Sequence, residues 1–181
     1  MNDQPVILAH LCCAPDALYV VGLLQASYQV TGFFYNPNIH PEEEYDLRLR
    51  ETRRVASHLG FKLIEGKYDP DRWLQLTEKF KDEPEKGRRC HICYAWRLQA
   101  TARLAKELGF PLFTTIMSIS PWKSAEVLNR IGRLTARKFR LEFLEANFKK
   151  KDGFRKSVAM SQAFGLYRQN YCGCLYSRKA R

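Results

Sequence analysis

Short apolar runs alternate with stretches of helical periodicity along the whole chain, and that alternation restricts the fold more than any other feature of the sequence. The run "PVILAHL" is short, rich in Val and Ile, and reads as a buried strand. "APDALYVVGLLQAS" follows as a helix, and "YQVTGFFYNPN" as a second strand stopped by Asn36-Pro37-Asn38. The next helix has Pro41 in its first turn and Glu42, Glu43 and Glu44 at its positive end. Its stripe is Tyr45, Leu49, Ala56 and Leu59, and Gly60 ends it. "FKLIEGKY" is a third strand, "DPDRWLQLTEKFKDEP" a polar helix and "EKGRRC" a loop. "CHICYAWRLQATARLAKELGF" is the clearest helix, with Ile92, Ala95, Leu98, Ala102, Ala105 and Leu108 on one face. "PLFTTIM" is a fourth strand; a helix starts from Ser120 as N-cap with Pro121 at its first position; "LEFLEANF" is a fifth strand. "GFRKSVAMSQAFGLY" is a short helix and "RQNYCGCLYS" a closing loop. This order predicts one α/β domain over residues 1–181, a parallel sheet with helices on both faces.

Ligands of such sheets bind beyond the carboxyl ends of the strands. Cys12 and Cys13 follow strand one, Asn36 to Asn38 strand two, and Ser118 to Ser120 strand four. The chain has six cysteines, in three pairs: Cys12-Cys13, Cys90-x-x-Cys93 and Cys172-x-Cys174. A bridge between neighbours, or across one residue, strains the backbone. The first residues, "MNDQPVILAH", lack a signal peptide's basic start and cleavage site, and no run is long enough for a membrane span. A reducing, cytoplasmic and disulfide-free protein is therefore expected, with thiols for metal or redox chemistry. Cys90 is expected at the start of the best helix beside Arg88 and Arg89, where dipole and cations favour thiolate. Cys93 lies one turn on, on nearly the same face. Six sulfurs exceed one tetrahedral site. Four suit a structural zinc or an iron–sulfur cluster, and two remain with Asp16 for a second metal of mixed ligation. The expected centre is built from residues 10–16, 88–94 and 168–174. Asp16 reads equally well as a helix N-cap, and His10 as an ordinary strand histidine.

Thirty Lys and Arg against nineteen Asp and Glu give a net charge of +11, which points to a polyanionic partner such as nucleic acid. The surplus clusters at Arg88 and Arg89, in residues 130–140, in "FKKKDGFRK" and in "SRKAR". Thiolate-bound metal is itself negative, so attraction of RNA must come from cations around the rim. Tyr19, Tyr35, Tyr167 and Tyr171 could stack on an extruded base or simply pack.

The segments "HLCCAPD", "GFFYNPNIHPEEEY", "RRCHICYAWRL", "FTTIMSISPWKS", "NFKKKDGFRKS" and "LYRQNYCGC" together resemble the cobalamin-independent epoxyqueuosine reductases, in order and almost from end to end. The resemblance implies a fold similar to the adenine-nucleotide alpha-hydrolase group. It implies reduction of the epoxide of epoxyqueuosine to give queuosine, at the wobble position of certain tRNAs, the last step of queuosine biosynthesis. It also implies a [4Fe-4S] cluster and a neighbouring mononuclear metal, iron, with ligands among Cys12, Cys13, Asp16, Cys90, Cys93, Cys172 and Cys174, not divided between the centres. An external electron donor is required. Asp16, Cys13, Tyr35 and His40 are catalytic candidates, Asp16 foremost as proton donor. Arg88, Arg89, Lys123, Lys149, Lys150 and Arg168 are candidate RNA contacts. ATP-using relatives of the fold carry a glycine-rich phosphate loop after strand one; "HLCCAPD" has no glycine, so no ATP use is expected. Two rival functions are a zinc-stabilised RNA-binding module without catalysis and an ATP-dependent tRNA-thiolating enzyme.

Overall fold

Side chains of β1 (Val6–Leu11) alternate between two separate cores. Ile7, Ala9 and Leu11 pack with Ala17, Val20 and Val21 of α1 (Ala14–Leu24) and Val55 of α2 (Glu42–Leu59). Leu8 points the other way, joining Phe33 of β2 (Gln29–Phe34) and Phe113 of β4 (Leu112–Thr115). That second core is covered by Leu98, Ala102 and Ala105 of α4 (Arg88–Glu107) and Ala136 of α5 (Ala125–Phe139). A strand buried on both faces reads as a continuous apolar run, as "VILAHL" does. The computed structural model that gives this arrangement describes residues 4–179; Ala180 and Arg181 of the basic "SRKAR" cluster lie outside the described residues.

With β3 (Lys62–Glu65) and β5 (Glu142–Phe143), the sheet has five strands in the order β3-β2-β1-β4-β5. All its pairings are parallel. The chain winds outward from β1 to β3, then returns through α3 (Pro70–Thr77) and α4 to β4 on the other side of β1. The carboxyl ends of β1 and β4 thus flank the topological switch point, where ligands of such sheets bind. Chain ends are added by α6 (Gly153–Ala163), which packs on α1, and α7 (Leu175–Lys179). Among the described residues no helix is long and apolar enough to cross a membrane.

Four boundaries differ from the sequence expectation. α5 begins after Ser124, whose Oγ accepts from the Val127 N–H at 3.3 Å, not after Ser120. Residues Ile116–Ile119 form a 3₁₀ turn, and Ser120 is spent holding the following turn: its Oγ accepts from Trp122 N–H and its carbonyl from Lys123 N–H. β5 keeps only two residues, because the Ala146 N–H turns to the Asn129 side chain and the chain leaves the ladder. Pro41 stands at the N-cap of α2 and not within its first turn. At α1 the N-cap is Cys13, with extended backbone and no side-chain cap bond, so Asp16 lies inside the first turn and does not cap the helix.

Candidate metal centre

β1 delivers Cys12 and Cys13 into the switch point, and the first turn of α1 folds Asp16 back toward them. Asn36, at the end of β2, donates to the Leu11 carbonyl at 2.9 Å and ties the two strand ends together. One ligand atom from each of Cys12, Cys13 and Asp16 lies within 4.8 Å of the others, and all three residues are buried. The two sulfurs are 4.0 Å apart and Cys12 Sγ is 3.4 Å from Asp16 Oδ2. Two thiolates on one tetrahedral ion with bonds of ~2.3 Å would sit about 3.8 Å apart, so the donor set fits a single ion. Cys13 has its pKa pushed well up by the Cys12 thiol, by burial and by Asp16, as expected of donors crowded together for a cation that must displace their protons.

The other four sulfurs face the same cleft from two directions. Cys90 sits in the first turn of α4 and Cys93 in the second. Cys172 and Cys174 arrive on the segment that precedes α7. The sulfurs of this group accept backbone N–H groups: Lys86 N–H to Cys90 Sγ at 3.3 Å, and Cys174 N–H to Cys172 Sγ at 3.4 Å. Such bonds suit thiolates that hold metal. Trp73, 1% exposed, packs against Cys93 and Cys174 and shields those two sulfurs from water. The thiol of Cys174 and its backbone hold Cys172 well below the usual thiol range, while Cys174 is pushed up by the same bond. Cys90 does not follow the sequence expectation of a lowered pKa. Burial, first, pushes it up, and it outweighs both the Lys86 N–H and the Arg89 charge.

The CxC segment is clasped by main-chain bonds. Arg48 of α2, buried and paired with Glu44 at 2.7 Å, donates to the carbonyls of Tyr171 and Cys172, each at 3.2 Å. His40 N–H donates to the Gly173 carbonyl at 2.8 Å, and the Tyr171 hydroxyl donates to the His40 carbonyl. Gly173 has φ +100°, and a Cβ there would stand 2.7 Å from Ile39 Cγ1.

The remaining sequence candidates fall in different places. Lys123 and Arg168 line the cleft. Lys149 stands just behind, its Nζ donating to the Lys123 carbonyl at 2.6 Å. Lys150 is exposed. Arg88 is exposed and pairs with Glu83 at 3.6 Å. Arg89 is 4% exposed; its guanidinium donates to the carbonyls of Phe80, Lys81 and Glu83 and lies over the Tyr176 ring, so it staples a loop rather than facing solvent. Tyr35 does not line the cleft: its hydroxyl accepts from Trp96 Nε1 at 2.9 Å on the α4 side of the sheet. His40 also lies off the cleft wall, its ring against Trp73 and its Nδ1 on the Asn38 carbonyl. Of the tyrosines, Tyr171 reaches the cleft, Tyr167 bonds Glu44 and Tyr19 packs on the core. His10 is fully buried beneath the site, between Thr115 and Arg97, and burial followed by Arg97 keeps it neutral. Sequence reasoning passed over Arg48, Trp73, Arg97 and the 60%-exposed Trp122, all of which line the cleft. Arg97 was within reach, since it follows Cys93 by one helical turn.

Fold and site together define a doubly wound α/β protein whose ligand crevice is lined by thiols and an acid rather than by a phosphate loop. Residues 7–180 match the family described as "Epoxyqueuosine reductase QueH". The chain belongs to that family, which is one of oxidoreductases. A relative of that name from Streptococcus pyogenes serotype M1 is 37% identical over 182 residues, covering 97% of this chain and 71% of its own. One from Histophilus somni is 38% identical over 173 residues, 94% of this chain and 71% of its own. One from Thermotoga maritima is 34% identical over 174 residues, 94% and 89%. Among solved structures, the crystal structure titled as a predicted subunit of tRNA methyltransferase from Methanocaldococcus jannaschii superposes with TM-score 0.57 at 13% identity, over 86% of this chain and 74% of that one. At that identity the likeness speaks for the fold alone.

Proposed function

We propose that this chain reduces epoxyqueuosine in the anticodon of tRNA to queuosine, in the cytoplasm, using electrons from an external donor. Turning the epoxide into an alkene takes two electrons and two protons, and the oxygen leaves as water. The observation that carries the reading is the separation of the candidate ligands into two sets around one cleft. Cys12, Cys13 and Asp16 crowd within single-ion distance, whereas Cys90, Cys93, Cys172 and Cys174 do not form so tight a group. We therefore assign the first set to a mononuclear iron and the second to a [4Fe-4S] cluster, which spreads its four thiolates more widely than one ion does. Iron in these positions supplies Lewis acidity toward the epoxide oxygen and one-electron transfer.

The chain's own residues supply the rest. Cys12 and Asp16 present their donor atoms to the cleft, so a bound epoxide meets the two-sulfur set from the open side. Asp16 gives the ion one carboxylate oxygen, and its other oxygen can accept a proton from water and pass it to the departing oxygen. Tyr35 and His40 stand off the cleft wall, which favours Asp16 over both. Trp73 and the buried α4 face keep water from the Cys93 and Cys174 sulfurs. Lys123 and Arg168 at the mouth meet the anticodon phosphates, with the Lys149 charge just behind them.

Anaerobic purification followed by iron and sulfide assay tests this, together with turnover of epoxyqueuosine-containing tRNA. Brown protein with several iron, labile sulfide and conversion to queuosine is expected. Cys90→Ser should lose both colour and turnover. Zinc at one per chain without chromophore would favour the RNA-binding module, and ATP-dependent AMP release would favour thiolation; either would overturn the reading.

A further inference from the structure

Buried arginines need an anion, because an unpaired cation out of water is costly. Three stand near this cleft, and one has a carboxylate partner. Arg48 has Glu44 at 2.7 Å; among the described residues Arg89 has no carboxylate within ion-pair distance and its Nε is unpaired, but three carbonyl dipoles and the Tyr176 ring face its guanidinium. Arg97 is 3% exposed and differs from both. Its Nε donates to His10 Nε2 at 3.3 Å and its Nη2 to Asn36 Oδ1, an imidazole and an amide, neither of which brings negative charge. Among the described residues no carboxylate lies within ion-pair distance of it. Its side chain lines the cleft, one helical turn past Cys93 and two past Cys90 on the same face of α4, and its charge acts on the Cys93 thiol.

We propose that Arg97 is the built-in counter-charge of the sulfur site: a positioning residue whose cation is balanced only when metal-bound thiolates occupy the cleft. The proposal rests on the metal reading above. His10 and Asn36 fix the guanidinium plane, and Asn36 in turn bonds the Leu11 carbonyl beside Cys12. A cation held there before metal arrives favours the anionic thiolate assembly. It also favours the more negative, reduced state of that assembly, which raises the reduction potential. The corollary is that the same cation strains the metal-free chain.

That corollary gives a change of sign that a packing role would not produce. Arg97→Gln keeps an N–H donor for the His10–Asn36 pair and removes the charge. Metal-free Arg97→Gln should melt at a higher temperature than metal-free wild type. Loaded Arg97→Gln should lose iron to a chelator on the order of tenfold faster than loaded wild type, and its midpoint potential should move negative. Arg97→Lys keeps the charge without the fork and should hold its potential nearer wild type. Equal destabilisation of metal-free and loaded Arg97→Gln, failure of both to fold, or an unchanged midpoint potential would overturn the proposal. If wild type binds no iron, the metal reading fails by that assay, while the metal-free melting comparison still decides whether Arg97 is unbalanced.

Discussion

Asp16 and Cys174 separate the two proposed metals more cleanly than any other pair of residues. Asp16 closes the tight set with Cys12 and Cys13, and Cys174 is buried on the far side of the cleft against Trp73. Asp16→Ala should therefore lose about one iron per chain and all turnover while keeping its labile sulfide. Cys174→Ser should lose sulfide and colour. Iron and sulfide counts on the two proteins, with absorbance spectra, check the division; sulfide loss in Asp16→Ala would show that the sets are not independent. At this scale the sequence was informative about candidate donors and silent about their surroundings. Cys12, Cys13, Cys90, Cys93, Cys172 and Cys174 announce themselves by spacing. The fate of Arg89 does not: a cation beside a cysteine reads as a thiolate-stabilising or RNA-facing charge until the Phe80, Lys81 and Glu83 carbonyls are seen around it. For the same reason the thiolate expectation for Cys90 fails, since burial depth is a property of the packed α4 and not of its local sequence.

Among the elements, the segment before α7 is the one whose backbone is most specialised. Gly173 is the residue between two candidate ligands and combines φ +100° with a 2.7 Å approach to Ile39. Gly173→Ala must shift one or the other, at about 1–3 kcal/mol for the strained backbone. For a chain this long that is a loss of several degrees in Tm, about 2–4 °C per kcal/mol. Iron retention should fall with it, and a melting curve with an iron assay checks both; Gly22→Ala is the control, because nothing lies within 4 Å of a Cβ there. Strands and long helices were legible because their signals are local: period in α4, continuous apolarity in β1. The start of α5 was not, since Ser120 and Ser124 are chemically equivalent as caps. The choice between them was made by the 3₁₀ turn that follows Thr115 and by the hydrogen bonds holding Trp122 and Lys123 to Ser120. β5 was overread for a similar reason, as the Asn129 side chain on α5 draws Ala146 out of the sheet.

Across the whole molecule, a net charge of +11 meets a polyanionic substrate, and the cleft mouth concentrates that charge. Burial, with Lys123 and Lys86 nearby, lowers the Lys149 pKa, so three ammonium groups crowd one edge of the site. Log Kd for tRNA should rise linearly with log salt. Lys123→Gln should weaken binding and reduce the slope by roughly 0.7–0.9, the contribution of one phosphate contact, as should Lys149→Gln. Fluorescence titrations at several salt concentrations check this, and an unchanged slope would remove that lysine from the interface. The charge was plain from composition, but which cations reach the mouth depended on the sheet order that brings residues 86, 123 and 149 together. The same long-range closure governs the clasp on residues 171–173. Arg48 and His40 hold it through the carbonyls of Tyr171, Cys172 and Gly173, and the Tyr171 hydroxyl returns a bond to the His40 carbonyl. The strap is thus gripped along its sulfur pair, by Arg48 of α2 and by His40, so the two thiols stay in place while Gln169 and Asn170, just ahead of them, face the open cleft.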